Sequence, residues 1–149
     1  LATDAGYGFV AKFSVLVAKN KAGKAVLSLP KGSQVMPPVI VPERQNLLVA
    51  AATSEGRLLV FPLADLPELA KGKGNKIIGI PSARAQAREE LVVGLLVFGD
   101  GDVVQVQSGR QYLKLKLSDL ENYRGERGRR GNRLPKGFQK VSGLAIADG

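Results

Sequence analysis

The sequence predicts an all-β fold of the blade-repeat type, built from three units of about 50 residues. Three observations predict it: three glycines each lie between two short apolar segments, these glycines are 50 and 53 residues apart, and a basic segment recurs at the same place in each unit. The glycines are Gly6, Gly56 and Gly109. A repeat period of tens of residues is typical of propellers and solenoids, in which each unit is one supersecondary motif.

Each of these glycines marks the turn of a predicted β-hairpin. A polar stretch with glycine between apolar segments is typical of a turn that requires a positive φ. In the second unit the flanking strands are expected at Leu47–Ala52 and Leu58–Phe61. A leucine follows each glycine by ten or eleven residues, and we expect it to lie in a single helical turn. These leucines are Leu16, Leu66 and Leu120.

A segment rich in glycine and cations comes next in each unit, and we call these segments the first, second and third basic corners. They are Lys19–Lys24, Lys71–Lys76 and Arg124–Lys140. In each unit the basic glycine-containing segment runs into apolar residues that end at a proline, namely Pro30, Pro81 and Pro135. We expect these apolar segments to be strands, because proline cannot continue a central strand and would end one.

The remaining segments complete the units. Lys31–Val41 contains two adjacent prolines and is expected to be extended. Ser82–Glu90 has helix-forming composition and is predicted to make a turn or two of surface helix. Strand patterns resume at Leu91–Phe98 and Asp102–Gln107, and Lys140–Ala147 alternates as a closing strand. We therefore predict one domain over residues 1–149, and we expect it to be a fragment of a larger protein because the chain opens on Leu rather than Met.

Composition excludes several function classes. The hydrophobic fraction of 44% and the charged fraction of 23% are typical of a globular domain. Because the sequence has no cysteine and no histidine, it excludes disulfides, Cys- or His-ligated zinc, Cys nucleophiles and His-dependent triads. No signal peptide is visible, and the longest apolar run, Leu91–Phe98, is too short to span a bilayer.

The positive charge is concentrated in the basic corners. The net charge is +9, and 13 of the 22 Lys and Arg residues lie in the corners together with one acid, Glu126. Corners in equivalent places would form a basic stripe along a rim, which favours a polyanion over the alternative that each corner is an ordinary solvated loop. Arginine forks onto phosphate oxygens. The candidate DNA-binding residues are Lys19, Lys21, Lys24, Lys71, Lys73, Lys76, Arg124, Arg127, Arg129, Arg130 and Arg133.

Two other motifs do not match the ligand-binding patterns that they suggest. The segment GKGNK lacks the GxxxxGK[ST] spacing of a nucleotide-binding loop and is followed by a strand pattern instead of a helix. The segment GDGD, residues 99–102, lacks the later ligands of an EF-hand and is predicted to be a polar turn. No recognition helix or zinc finger is apparent, and aromatic residues make up only 5% of the chain, so the sequence favours duplex DNA held by its backbone over base reading or stacking on single strands.

Several segments carry a family resemblance. DAGYGFV, NKAGKA, VMPPV, FPLADLPELAKGKGNKIIGIPSA and GERGRRG resemble the C-terminal domains of the gyrase A and topoisomerase IV A family, on the topoisomerase IV side. The resemblance implies a β-pinwheel, a propeller-like ring whose blades exchange strands, with a rim that contacts DNA. Of the Gln-Arg-Arg-Gly-Gly-Lys-Gly box of gyrase A, Gly72, Lys73 and Gly74 match, and no Gln or Arg pair precedes them. Tight wrapping of DNA is therefore not expected.

The resemblance also implies a function. It implies a non-catalytic domain that binds duplex DNA and bends or positions the transported segment for a type II topoisomerase, with no cofactor of its own. Magnesium, ATP and the cleavage tyrosine would belong to the rest of the enzyme, namely the ATPase subunit and the N-terminal cleavage domain. Three blades would leave an incomplete ring. A condensin-type ATPase is a further expected partner, in the bacterial cytoplasm at the nucleoid. The alternative is a protein-interaction scaffold whose rim binds an acidic partner.

Overall fold

The structure is a computed structural model that describes residues 1–11, 32–36, 39–42, 45–69, 74–99, 102–135, 137–138 and 140–147. The strands are β1 (Tyr7–Gly8), β2 (Leu48–Thr53), β3 (Arg57–Pro62), β4 (Asn75–Lys76), β5 (Val92–Phe98), β6 (Val103–Ser108), β7 (Gln111–Leu115), β8 (Asn132–Arg133) and β9 (Gly143–Ala147). The α-helices are α1 (Ser82–Gln86) and α2 (Leu117–Leu120). The dominance of strands confirms the predicted all-β class.

The hairpin turns lie where the glycines predict them. Gly6, Gly56 and Gly109 have φ values of +93°, +82° and +59°. In the second and third units the turn joins the antiparallel pairs β2–β3 and β6–β7. In the first unit an Ala2–Gly8 bridge closes the corresponding turn. All three predicted hairpins are thus confirmed.

The predicted surface elements are also confirmed in the described part of the chain. A helical turn at α2 contains Leu120, and another at Leu63–Asp65 ends one residue before Leu66, which is extended. The third predicted turn, at Leu16, lies outside the described residues. The helix α1 forms the short surface helix. The strands β5, β6 and β9 occupy the segments predicted for them. Among the residues described, no helix has the length and apolar character needed to cross a bilayer.

The two larger sheets are each built on a hairpin, and a third, two-stranded sheet pairs β1 with β4. The four-stranded sheet has the order β5-β2-β3-β8, and the three-stranded sheet has the order β7-β6-β9. β5 and β9 flank the first strand of their hairpins, and a Thr3–Val35 bridge takes the same place in the first unit. The units therefore share one plan.

The basic corner of one unit completes the sheet of the unit before it. β4 comes from the second corner but pairs with β1 of the first unit, with Tyr7 opposite Lys76. β8 comes from the third corner but pairs with β3 of the second unit, with Arg57 opposite Arg133. The repeat pattern alone did not indicate this exchange, whereas the family resemblance implied it.

The apolar run after the second corner was predicted to be a strand, and that prediction is wrong. Ile77, Ile78 and Ile80 are buried, but the ladder stops at Lys76. The amide of Ile77 donates to the Gly6 carbonyl at 2.7 Å, whereas the amide of Gly79 donates to the Arg129 carbonyl at 2.7 Å. Because these amides find partners on two different segments, no single ladder can continue.

The core lies on both faces of the four-stranded sheet. Side chains alternate between the faces of a strand, so Val49 and Ala51 of β2 face the first unit while Ala50 and Ala52 face the third. The face towards the first unit packs with Ile77 and Ile78, and the face towards the third unit packs with residues such as Val104. Burial of both faces explains why β2 reads as a continuous apolar run.

Candidate nucleic-acid interface

Six of the predicted DNA-binding residues lie in the described part of the chain. They are Lys76, Arg124, Arg127, Arg129, Arg130 and Arg133. The other five candidates, and with them the whole first corner, lie outside the described residues. They are Lys19, Lys21, Lys24, Lys71 and Lys73.

The described end of the second corner, residues 74–76, lies beside the third corner. The Arg127 guanidinium donates to the Lys76 carbonyl at 2.9 Å, and the Gly128 amide donates to the Ile77 carbonyl at 3.0 Å. The return bond runs from the Gly79 amide to the Arg129 carbonyl. Strand exchange makes this contact, because β4 and β8 each reach back to the preceding sheet. The structure therefore brings the cations of these two corners together on one edge.

Arg130 points into the protein. Its Nη1 donates to the Gly79 carbonyl at 2.7 Å and to Oε2 of Glu90 at 3.0 Å. The Glu90 side chain is fully buried, and Arg84 approaches the same oxygen at 3.6 Å. A buried carboxylate requires such partners, since desolvation of an unpaired charge is costly. Arg130 is thus held by the fold in a way that the sequence did not indicate.

Four of the other five described candidates are exposed, whereas Arg127 is half-buried. Arg124 and Arg129 form exposed pairs with Glu121 and Glu126, three residues away, and such pairs contribute little to stability. The side chains of Lys76 and Arg133 form no hydrogen bond or ion pair within the described residues and lie on exposed strands. These cations can meet an anion without breaking the fold.

A cationic cleft that sequence reasoning missed lies next to β8. It has a volume of about 190 Å³, and we call it the arginine pocket. It is lined by Glu55, Arg57, Arg84, Arg130, Arg133 and Lys140. Arg57 is an isolated cation in an apolar strand, so only the β3–β8 register could have revealed that it lies opposite Arg133.

Arg57 is electrostatically strained in the arginine pocket. Burial lowers the pKa of its guanidinium, and the charges of Arg130 and Arg133 lower this pKa further, while Glu90 partly offsets them. Its Nη1 donates to the Gly131 carbonyl at 3.1 Å, which fixes the guanidinium at the base of β8. The pocket therefore holds a positioned cation among like charges.

The described residues of the GKGNK and GDGD segments form local structure that differs from a ligand-binding loop. Asn75–Lys76, within GKGNK, is a strand, and no phosphate-binding helix follows it. The Gly99 amide donates to Oδ2 of Asp102 at 2.9 Å, which is the bonding of a polar turn. No group of carboxylates suited to a metal ion occurs in the part of the chain that the structure describes.

Comparison with known proteins reproduces the three units. A family model described as the DNA gyrase C-terminal domain, a beta-propeller, matches residues 1–42, 48–98 and 108–148. The A-subunit of DNA topoisomerase 4 from Pseudomonas aeruginosa is 56% identical over 98% of this chain, and the same protein from Escherichia coli K12 is 46% identical over 98%. The chain spans 19% of each of these relatives.

Solved structures show the same architecture. The E. coli ParC C-terminal domain superposes with a TM-score of 0.89 at 44% identity, over 99% of this chain and 59% of that one. The DNA gyrase A C-terminal domain superposes with a TM-score of 0.72 at 17% identity, over 99% and 48% of the two chains, and shows the fold alone. These likenesses confirm the predicted β-pinwheel fold.

Proposed function

The chain belongs to the family of DNA gyrase C-terminal domains, and we propose that it is a non-catalytic domain that binds duplex DNA. In this proposal it bends or positions the transported DNA segment for a type II topoisomerase. One observation carries the proposal: the second and third corners meet on one edge, with Lys76, Arg129 and Arg133 free or only weakly paired among the described residues. A contiguous set of accessible cations is the electrostatic footprint of a polyanion site.

Binding through phosphates follows from the elements available. The described helices α1 and α2 have five and four residues, so neither resembles a helix that reads bases in the major groove. Contacts to phosphates fix position and orientation without reading sequence. A curved basic edge would stabilise bent duplex because a bend brings more phosphates within reach.

Cleavage chemistry is proposed to lie elsewhere in the enzyme. Tyr123 is buried, and burial followed by the Asp119 charge raises the pKa of its phenol, which is the opposite of activation as a nucleophile. We propose that magnesium and ATP act in the remainder of the topoisomerase, that is, in the ATPase subunit and the N-terminal cleavage domain. The proposed location is the nucleoid in the bacterial cytoplasm, and a condensin-type ATPase is a further proposed partner.

Salt titration tests the proposal directly. Fluorescence anisotropy measures the association constant of the purified chain for a linear duplex. The logarithm of this constant is expected to fall linearly with the logarithm of the salt concentration, with a slope of about −0.9 per phosphate contact. Lys76→Gln and Arg129→Gln should each reduce the slope by about one contact. Lys114→Gln is the matched control, because Lys114 is exposed on β7, outside the three corners in sequence and outside the lining of the arginine pocket, and it should leave the slope unchanged. Undetectable or salt-insensitive binding by the wild type would refute the proposed function.

A further inference from the structure

Two arginines face each other across the exchanged strand. Arg57 and Arg133 are direct partners in the antiparallel β3–β8 pair. Side chains at such positions have Cβ atoms roughly 5 Å apart, and like charges placed there destabilise a sheet. The equivalent place in the first unit holds Tyr7 and Lys76, so strand exchange does not itself require two cations there.

The carboxylates near the arginine pocket are engaged mainly by Arg84 and Arg130, and Glu90 offsets only part of the positive charge acting on Arg57. Glu90 is bound by Arg130 at 3.0 Å and approached by Arg84 at 3.6 Å, and Glu55 lies 3.5 Å from Arg84. Within the described residues, neither acid forms an ion pair with the two facing arginines or with Lys140. Arg57, Arg133 and Lys140 thus share one cleft without a direct ion pair among the residues that the structure describes.

The pocket has room for an anion. A volume of about 190 Å³ would otherwise hold several waters at about 30 Å³ each. Arg130 is held by hydrogen bonds to Glu90 and to the Gly79 carbonyl, and Arg57 is held by its bond to the Gly131 carbonyl. Arg84 is paired more loosely, 3.6 Å from Glu90 and 3.5 Å from Glu55. Prepositioned guanidiniums lose little freedom when they bind, and their planar forks match the oxygens of phosphate.

We propose that the arginine pocket binds one backbone phosphate of duplex DNA, an assignment that rests on the proposed function and gives it an anchoring site. Arg57 and Arg133 donate to the two non-bridging oxygens, and Lys140 supplies a neighbouring point charge. The phosphate relieves the repulsion between the facing arginines. This adds three residues to the candidate DNA-binding residues: Arg57 and Arg84, which lie outside the corners, and Lys140, the last residue of the third corner.

Duplexes that carry a single neutral methylphosphonate test the assignment. The phosphate replacement is moved along one strand, and affinity is measured for wild type, Arg133→Gln, Lys140→Gln and the control Lys114→Gln. Wild type and the control should lose about tenfold at one or a few positions, equivalent to about 1.4 kcal/mol. Arg133→Gln should bind unmodified duplex about tenfold more weakly and lose that position-dependent penalty, with a smaller effect for Lys140→Gln. Neither substitution removes an internal hydrogen bond of the described residues, and thermal unfolding verifies the fold.

The other outcomes separate the two proposals. Wild-type binding with an unchanged penalty in Arg133→Gln overturns the pocket and leaves DNA binding intact. Equal losses in Arg133→Gln and Lys114→Gln indicate bulk charge and also overturn it. No duplex binding by wild type removes both proposals. If inorganic phosphate saturates the pocket without competing with duplex, the pocket binds the free anion instead. If Arg133→Gln loses binding to polyglutamate while its DNA binding is unchanged, the pocket binds an acidic protein instead.

Discussion

Arg129 and Arg130 are neighbours in sequence, but the structure gives them different environments. Arg129 pairs only with Glu126 among the described residues, and both side chains are largely exposed, at 74% and 80%. Arg130 bonds the fully buried Glu90 and the Gly79 carbonyl. The first is available to a ligand, whereas the second connects the third corner to the core of the second unit.

Paired substitutions distinguish these roles. Arg130→Gln should lower the free energy of unfolding by about 2 kcal/mol, because a charge-assisted hydrogen bond is lost and buried Glu90 keeps only its longer contact with Arg84. Arg129→Gln should change stability little but weaken DNA binding. Urea unfolding and anisotropy measure the two effects. Equal stability of both variants would contradict the structural role of Arg130.

At this scale the sequence predicted where the cations concentrate but not how each one is used. Glu90 is 40 residues from Arg130 and looks like an ordinary surface acid at the end of a helix-forming segment. Arg57 shows no cluster around it in sequence. Both roles depend on strand exchange, which is a long-range pairing, so local composition could not reveal them.

At the scale of elements, each exchanged strand is preceded by a glycine, because the neighbouring backbone leaves no room for a Cβ atom at that position. Gly74 precedes β4 and Gly131 precedes β8, with φ values of +79° and +75°. A Cβ added to Gly74 would collide with the Gly8 carbonyl, and one added to Gly131 would lie 2.6 Å from the Leu58 carbonyl oxygen. At these two corner positions the close partner of the glycine is therefore a neighbouring strand.

Gly131→Ala should therefore destabilise the domain more than Gly109→Ala. The hairpin glycine Gly109 also has a positive φ, but no atom lies within 4 Å of its added Cβ. Its substitution should cost about 1 kcal/mol for the left-handed backbone alone. Gly131→Ala adds a backbone clash that detaches β8 from β3. Chemical unfolding of the two variants gives the comparison, and equal losses would argue against the close approach.

Hairpins were predictable because their signal is local, a glycine between two apolar strands. The exchanged strands β4 and β8 were not, because each has two residues and its partner lies in the previous unit. The sequence does repeat Gly-Asn-Lys-Ile at residues 74–77 and Gly-Asn-Arg-Leu at 131–134. This repeat marks equivalent positions, but the identity of the partner strand required the structure or the family resemblance.

At the scale of the whole molecule, exchange makes neighbouring units depend on one another. Leu134 belongs to the third corner, yet it is 4% exposed in a cluster with Leu58 and Val60 of the second unit. Its amide donates to the Gly56 carbonyl at 2.8 Å. The second unit therefore buries part of its core under residues that follow it by about 75 positions, and its stability cannot be a property of that unit alone.

Leu134→Ala changes the third corner, and it should consequently increase the hydrogen exchange of amides in the second unit. Truncation of a buried leucine costs about 2–5 kcal/mol. This loss should appear in hydrogen exchange of the β3 amides as well as in the third corner, because Leu134 packs in one cluster with Leu58 and Val60 of β3. Ile146→Ala on β9 is the control, since Ile146 is 46% exposed and should change protection little. Faster exchange confined to residues 124–147 would mean that the units open independently. Such a domain could not hold β4 and β8 in fixed register, so the two described basic corners would no longer present one continuous edge to a ligand.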